Sequence, residues 1–426
     1  MGYVNKKGVI MRKLSIIVAH PYQQHSFQTA SAIKHMGDLQ AYITTVYDKN
    51  SSITALVKKL LKGDNLKRAN NRRCSYLSDN EVIQFCEFES LLLLLLHRID
   101  KSRKFYDLLN AYILKKFNRK LAKYIMNNNT DAVILYDTLC AECIRILREN
   151  SSKTKIIIDM SAPNFSYMDH FFSESVKKYP KYSLKLKNEM KSQKYLDKLA
   201  DSKYEIDNAD YFLVASQFSK KSLIYSGINE NTIFVCKYGI NMDCSNIDKQ
   251  KNNKVRIIFI GDVNQKKGIV DFVQIARELN TNDFEFNIVG KYEEDDPVYT
   301  SNKDLCNFYG YVTHDEVLNI CENMDIIIFP SLSDGFGLSV IEAMSKKVVP
   351  IVSTNAGVSD IVNNGINGFI FNIGDIETVV GKCRYLQNNF QVLNDMQNEA
   401  YKYVSNMKWT DYYKQIEDAI VNVFEF

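Results

Sequence analysis

The sequence predicts an α/β protein built from two doubly wound, Rossmann-like parallel-sheet domains that face each other across a cleft. Three observations carry this. Short unbroken apolar runs such as Ala132-Val133-Ile134-Leu135 and Ile326-Ile327-Ile328-Phe329 recur along the chain, with the composition of parallel strands covered on both faces. A segment of helical composition follows most of them, which is the signature of βαβ units. The alternation stops at the polar stretch 241–254, with its run Asp248-Lys249-Gln250-Lys251-Asn252-Asn253, and then starts again. Ligands of such sheets lie outside the carboxyl ends of the strands, so two facing sheets place the site in the cleft between them.

Length and composition bound the reading. A chain of 426 residues can support two cores. We expect one domain over 11–240, a second over 241–408, and a final helix over 409–426 that packs back on the first. Hydrophobic content of 46% and charged content of 24% are ordinary for a globular protein. A net charge of +4 is too small to mark a nucleic-acid binder. Residues 1–13 are mixed polar and basic, and the apolar run at 14–19 is too short for a signal peptide. The leucine run at 91–96 ends at His97 and Arg98, well short of the roughly 18–20 residues of a membrane span. Nine scattered cysteines, an odd number, point to reduced thiols. Cys140 and Cys143 have no second pair to complete a zinc ribbon and read as two helix-face thiols. The expected location is cytoplasmic.

In chain order, 1–13 reads as a frayed tail and 14–19 as the first strand. The strand runs into His20-Pro21-Tyr22-Gln23-Gln24-His25-Ser26, with Ser26 placed to cap a helix to about residue 36. This loop lies at the carboxyl edge, so His20 and His25 are candidates for acceptor or phosphate contact. The competing roles are a turn cap and a surface residue. A second strand is expected at 41–46. Residues 58–73 hold Lys58, Lys59, Lys62, Lys67, Arg68, Arg72 and Arg73 against the single acid Asp64. They form either a solvated face or a basic surface for an anionic lipid leaflet. Residues 101–125 read as an amphipathic, lysine-rich helix. After the strand at 132–135 comes Asp137, placed to contact a sugar, to stabilise charge, or simply to cap the next helix. A strand at 155–160, a polar helical region to about 208 and a strand at 211–215 follow, with Ser216 as a helix cap. In the second half, strands fall at 255–260, 284–289, 326–329 and 348–353. Helices fall at about 270–279, 375–388, 392–406 and 409–423.

The densest chemistry lies at 324–344. The strand ends at Pro330, Asp334-Gly335-Phe336-Gly337 forms a loop, and 338–344 has helical composition. Strand, glycine loop and helix start point free N–H groups at an anion. Carboxylates at Asp334 and Glu342 can accept hydrogen bonds from hydroxyl groups of the same ligand. Lys266-Lys267-Gly268 follows the first strand of the same sheet and supplies point charge for phosphate. The combination suits a phosphorylated, hydroxyl-rich molecule.

These residues closely resemble glycosyltransferase family 4, whose members are retaining enzymes of the GT-B fold that use nucleotide-sugar donors. The resemblance rests on Gly261…Lys267-Gly268, Gly290, Gly310, Asp325, Pro330-Ser331, Asp334-Gly335-Phe336-Gly337-Leu338…Glu342-Ala343-Met344, Pro350-Ile351-Val352 and Gly365-Ile366-Asn367-Gly368-Phe369. It spans about 205–415 and is much looser over 14–200. It implies that Gly261, Lys266, Lys267, Gly335, Phe336, Gly337, Leu338 and Glu342 bind the donor, with Glu342 on the ribose and Lys267 on the diphosphate. Asp334 and Lys267 are the implied catalytic groups; Asp137, by its position at the carboxyl edge of the first sheet, is the third catalytic candidate, and no cofactor and no metal are expected. Asp334 stands where the family usually has glutamate, and Asp262 where many relatives have arginine, a charge that Lys266 can replace. The expected reaction is retaining transfer of a sugar from a UDP- or GDP-sugar to a glycan or lipid-linked acceptor of a bacterial surface polysaccharide, with peripheral contact to an anionic membrane. The alternative is a non-catalytic nucleotide- or glycan-binding scaffold of a synthase complex.

Overall fold

The computed structural model describes residues 3–4, 10–240, 249, 253–279 and 282–425. Apart from 249, 253 and 254, the expected linker at 241–254 lies outside the described residues. The described part of the expected frayed tail is instead paired. β1 (Tyr3–Val4) and β2 (Ile10–Met11) form an antiparallel ribbon with Val4 opposite Ile10, two β-branched residues that suit extended backbone.

The first large sheet contains β3 (Ile16–Ala19), β4 (Leu39–Thr44), β5 (Val82–Gln84), β6 (Ala132–Tyr136), β7 (Lys155–Met160), β8 (Tyr211–Val214) and β9 (Ile233–Val235). Their order is β5-β4-β3-β6-β7-β8-β9, and every pairing is parallel. The second contains β10 (Val255–Ile260), β11 (Phe284–Val289), β12 (Cys306–Gly310), β13 (Ile326–Phe329), β14 (Val349–Ser353) and β15 (Phe369–Phe371). It is also parallel throughout, in the order β12-β11-β10-β13-β14-β15. In both sheets the strand order reverses beside the first strand of the domain, which opens a crevice at the carboxyl edge. The central strands are apolar because both their faces are covered, and Ile134, Ile157, Ile257 and Ile327 are fully buried.

The four strands of the two large sheets absent from the expectation, β5, β9, β12 and β15, are the four edge strands. Along Cys306–Gly310 only Cys306 is fully buried, so the apolar run that marks a two-sided strand never develops. The basic stretch at 58–73, expected as a helix face and loop, is divided between the helices Ile53–Lys58 and Gly63–Asn70. The leucine run lies on the helix Glu87–Ile99, followed by Lys104–Asn127. Helix Ser26–Met36 starts at Ser26 itself, so this residue is not its cap. The Ser26 hydroxyl lies 2.8 Å from that of Tyr42.

The helix Trp409–Glu425 packs on the first domain, against Ser26–Met36. Tyr412 Oη lies 2.8 Å from Thr29 Oγ1, Tyr413 Oη donates to Gln28 Oε1 at 2.6 Å, and Lys155 Nζ donates to the Val423 carbonyl at 2.7 Å. One apolar core runs through Val18 and Ile134 of the first sheet, Ile258 and Val340 of the second domain, and Ile416 and Ile420 of this helix. The two sheets and the last helix therefore share burial, and their carboxyl edges meet in contact.

Candidate active site at the domain cleft

β13 ends at Phe329-Pro330, and the chain then turns through 331–337 into the helix Leu338–Met344. The turn is fixed on two sides. Asp334 N–H donates to the Asn355 carbonyl at 3.0 Å, and Gly357 N–H donates to the Asp334 carbonyl at 2.9 Å, so the loop is zipped to the one after β14. Gly337 takes φ +80°, the left-handed region that favours glycine. Gly335 is needed for space: a Cβ there would lie 2.1 Å from the Ser161 carbonyl oxygen of the first domain. The Gly335 carbonyl accepts from Ser216 Oγ at 2.8 Å, again across the cleft.

The lysine loop after β10 is pressed against the same turn. Gly268, at φ +71°, passes so close to Pro330 that a Cβ would sit 1.8 Å from its carbonyl oxygen. Leu332 N–H donates to the Lys266 carbonyl at 3.0 Å. These contacts carry Lys267 Nζ to 2.5 Å from Asp334 Oδ2, while Asp334 Oδ1 accepts from Phe336 N–H at 3.2 Å. The stem of Lys267 runs beside Gly261, where a Cβ would lie 3.5 Å from Lys267 Cγ. Lys266 points elsewhere, across the cleft to Glu189 Oε1 at 2.6 Å and over the Phe172 ring at 5.6 Å. Glu342 stands on the helix beyond the loop, with its Oε1 3.0 Å from His314 Nε2.

The first domain contributes the facing wall. Asp137, half-buried just after β6, accepts from Ser161 N–H at 3.1 Å and lies 3.3 Å from Ser161 Oγ. Burial pushes its carboxyl up to about 6, and the Ser161 N–H partly opposes this. Asp137 does not cap the helix that follows. That work falls to Glu205, which is fully buried and accepts from the N–H groups of Thr138, Cys140 and Ala141 at 2.5, 2.8 and 2.9 Å. Burial raises the Glu205 carboxyl to about 7, against the pull of those donors.

The histidines are both turned inward. His20 is fully buried, with Nδ1 accepting from Tyr22 N–H at 2.8 Å and the ring 4.5 Å from that of Tyr136. Burial lowers it to about 3, so it is neutral at physiological pH, and its Nε2 has no hydrogen-bond partner among the described residues. His25 is not a surface residue: Nε2 lies 2.8 Å from Asp159 Oδ2 and 3.3 Å from Tyr238 Oη. Tyr238 in turn meets Phe336 edge-on at 4.9 Å. This links the loop after β3 to the Gly335 loop through two aromatic rings.

The structure thus gathers Asp334, Lys267, Gly335 and Phe336 at one seam, with Asp137 behind Ser161 and His25 behind Tyr238 on the other side. Lys266 and Glu342 flank it, each held by a different partner. Ser161, His314 and Glu189 join the site without any signal in the sequence that marks them as site residues, and Tyr238 lies within the stretch that resembles the family. Ser216 is the helix cap that the sequence predicts, and reaches the Gly335 loop as well. Cys140 and Cys143 are buried thiols, like the other described cysteines, and Cys244 lies outside the described residues.

Comparison with known proteins agrees with this geometry. Residues 245–403 match the family described as glycosyl transferases group 1. The capsular polysaccharide biosynthesis glycosyltransferase CapM of Staphylococcus aureus is 24% identical over 221 residues, which is 46% of this chain and 56% of that protein. The chain spans about half the length of the curated relatives it matches. Among solved structures, the lipopolysaccharide outer core galactosyltransferase WaaB superposes with a TM-score of 0.61 at 14% identity, covering 97% of this chain and 100% of that one. HepE of Anabaena in complex with UDP-glucose gives 0.59 at 12% identity, over 96% of this chain and 99% of that one.

Proposed function

We propose that this chain of GT-B fold, whose residues 245–403 match the glycosyl transferases group 1 family, transfers a sugar from a UDP- or GDP-sugar to a glycan or lipid-linked acceptor in surface polysaccharide synthesis. The observation that carries this reading is the 2.5 Å pair of Lys267 and Asp334 on the glycine loop, set against the Asp137–Ser161 edge of the other domain. Two of the similar proteins support it: HepE is a complex with UDP-glucose, and CapM is a glycosyltransferase of capsular polysaccharide biosynthesis.

In this reading the donor diphosphate becomes the counter-ion of Lys267. Asp334 then turns its released oxygen to a sugar hydroxyl. Glu342 exchanges His314 for the ribose hydroxyls. As the anomeric carbon–oxygen bond breaks, its electron pair passes to the diphosphate, and Lys267, Lys266 and the loop N–H groups stabilise the growing charge. Asp137 supplies negative charge from the opposite wall to the oxocarbenium-like ring. The acceptor hydroxyl attacks from the face the diphosphate leaves, so configuration is retained, and its proton passes to the departing phosphate oxygen. No metal is needed where lysine carries the charge. Contact between Gly335 and Ser161 closes the seam to water, which would otherwise take the sugar.

The test is a thermal-shift screen of the full chain against UDP, GDP, ADP, TDP and their sugars, without added metal. A ligand at about 100 times its Kd stabilises by about 2.7 kcal/mol, a shift of several degrees. One nucleotide should produce it, and no shift with any of them would reject the donor site.

A further inference from the structure

The first domain carries a second surface that the transfer site leaves unused. The helix Glu87–Ile99 exposes Phe88, Leu92, Leu95 and Ile99, spaced four, three and four, while Ser90 and Leu93 turn inward. This is one continuous apolar stripe facing solvent. The helix Lys104–Asn127 repeats the pattern with Phe105, Leu108 and Tyr112 exposed, and Ile113 and Phe117 buried. Ile53 and Leu56, with Leu60 just past the end of the helix Ile53–Lys58, form a third stripe. Exposure reaches 82% at Leu60, 70% at Phe105 and 71% at Leu108, so these side chains are not merely grazing the surface. Scattered single apolar residues need no explanation, but three stripes on neighbouring helices do.

The helices are locked together. Glu87 Oε1 accepts from Thr54 N–H at 2.7 Å and from Thr54 Oγ1 at 2.6 Å, Arg98 reaches Asn65 at 2.7 Å, and Lys116 pairs with Glu89. The same segment is the basic part of the chain. Residues 53–123 contain 16 Lys and Arg against seven Asp and Glu, a surplus of nine in a chain whose total is +4. Lys59, Lys62, Lys101, Lys104 and Lys115 neighbour the stripe residues in sequence, and all five are exposed.

We propose that this face docks on an anionic lipid bilayer. Apolar stripes with exposed lysines beside them in sequence match a membrane interface, where the apolar side chains enter the headgroup boundary and the lysines meet phosphate. A second copy fits poorly, because face-to-face pairing would set the two basic surpluses against each other. No described helix is long and apolar enough to cross a membrane, so the contact lies in the plane of the surface. Its position has a consequence. Tyr22, on the loop after β3, donates from Oη to Asn110 Oδ1 of the helix Lys104–Asn127 at 2.6 Å. Docking therefore brings the acceptor-side loop to the lipid surface. This last point alone rests on the reading of the cleft given above.

The test is co-sedimentation of the full chain with vesicles of equal parts phosphatidylglycerol and phosphatidylcholine, compared with phosphatidylcholine alone, at about 0.1 M salt. Wild type should bind the anionic vesicles, and the bound-to-free ratio should fall about tenfold in Leu60→Glu/Leu95→Glu/Leu108→Glu. Lys59→Glu/Lys62→Glu should weaken binding separately. The nucleotide thermal shift should be unchanged in both, which also shows that they fold. Three results would overturn the proposal: sedimentation of wild type no better with anionic than with neutral vesicles, equal sedimentation of the variants and wild type, or a wild-type dimer in sedimentation velocity that the leucine variant abolishes.

Discussion

Replacing Gly335 by alanine tests whether the contact between the domains is part of the site. The added Cβ would lie 2.1 Å from the carbonyl oxygen of Ser161 and 3.0 Å from Ala162 Cα. A carbon and an oxygen rest at about 3.4 Å, so the loop and the facing edge must part by about 1.3 Å. Both obstructing groups are backbone, so no side-chain rotation relieves the clash. The loop cannot retreat into its own domain either. Gly357 lies so close behind it that a Cβ there would be 2.0 Å from the Gly335 carbonyl oxygen. Separation of about 1 Å between reacting groups costs on the order of 100-fold in rate, or about 2.7 kcal/mol in the barrier. The donor contacts proposed for Lys267 and Glu342 stay within the second domain and should survive. Steady-state transfer by Gly335→Ala should therefore show kcat down about 100-fold with nucleotide affinity within a few-fold of wild type. Transfer at near wild-type kcat would refute the idea that closure at Gly335 and Ser161 orders the reacting groups.

Two further predictions concern stability. Glu205 binds its proton more tightly in the folded state, with its carboxyl raised to about 7 from an ordinary 4.5. Its contribution is therefore full below about pH 4.5 and is lost as pH rises through 7, in total roughly 3 kcal/mol. Urea unfolding at several pH values should show this slope in wild type and not in Glu205→Gln, and parallel curves for the two would contradict it. At Gly239 a Cβ would lie 2.2 Å from the Trp409 nitrogen, so Gly239→Ala should push the last helix off its seat. The expected loss is about 1–3 kcal/mol by the same measurement, and an unchanged midpoint would show that the helix adjusts freely.

Much of the fold is legible because central parallel strands announce themselves. Val255–Ile260, Phe284–Val289, Ile326–Phe329 and Lys155–Met160 are apolar along most of their length, and each coincides with the expected strand. The edge strand Cys306–Gly310 gives no such signal, since Asn307 and Tyr309 face solvent. The leucine run at 91–96 is informative in a different way. It holds more apolar residues than one helix face can bury, and the surplus shows in space as exposed Leu92, Leu94 and Leu95. In the site, Lys267, Gly268, Asp334 and Gly335 are readable because loops after neighbouring strands converge by topology alone. Their partners are not. His25 and Asp159 are 134 residues apart, and Ser216 and Gly335 are 119 apart. No periodicity connects such pairs. His314, the partner of Glu342, is part of a helix start already accounted for by the Thr313 and Glu316 capping box, so its second role has no separate signal.

The central claim is that Lys267 and Glu342 hold a nucleotide-sugar whose sugar leaves across the Gly335 seam. It is tested most directly by measuring sugar transfer, with the nucleotide-sugar that stabilises the chain, in wild type, Lys267→Ala and Glu342→Ala. Both substitutions remove partly exposed side chains and should leave the melting temperature without ligand unchanged. The expected result is loss of nearly all transfer in each: Lys267→Ala leaves the diphosphate charge unpaired in a closed cleft, which costs several kcal/mol of transition-state stabilisation, and Glu342→Ala leaves the ribose hydroxyls without their acceptor. Transfer by either variant within a few-fold of wild type would contradict the assignment of the site.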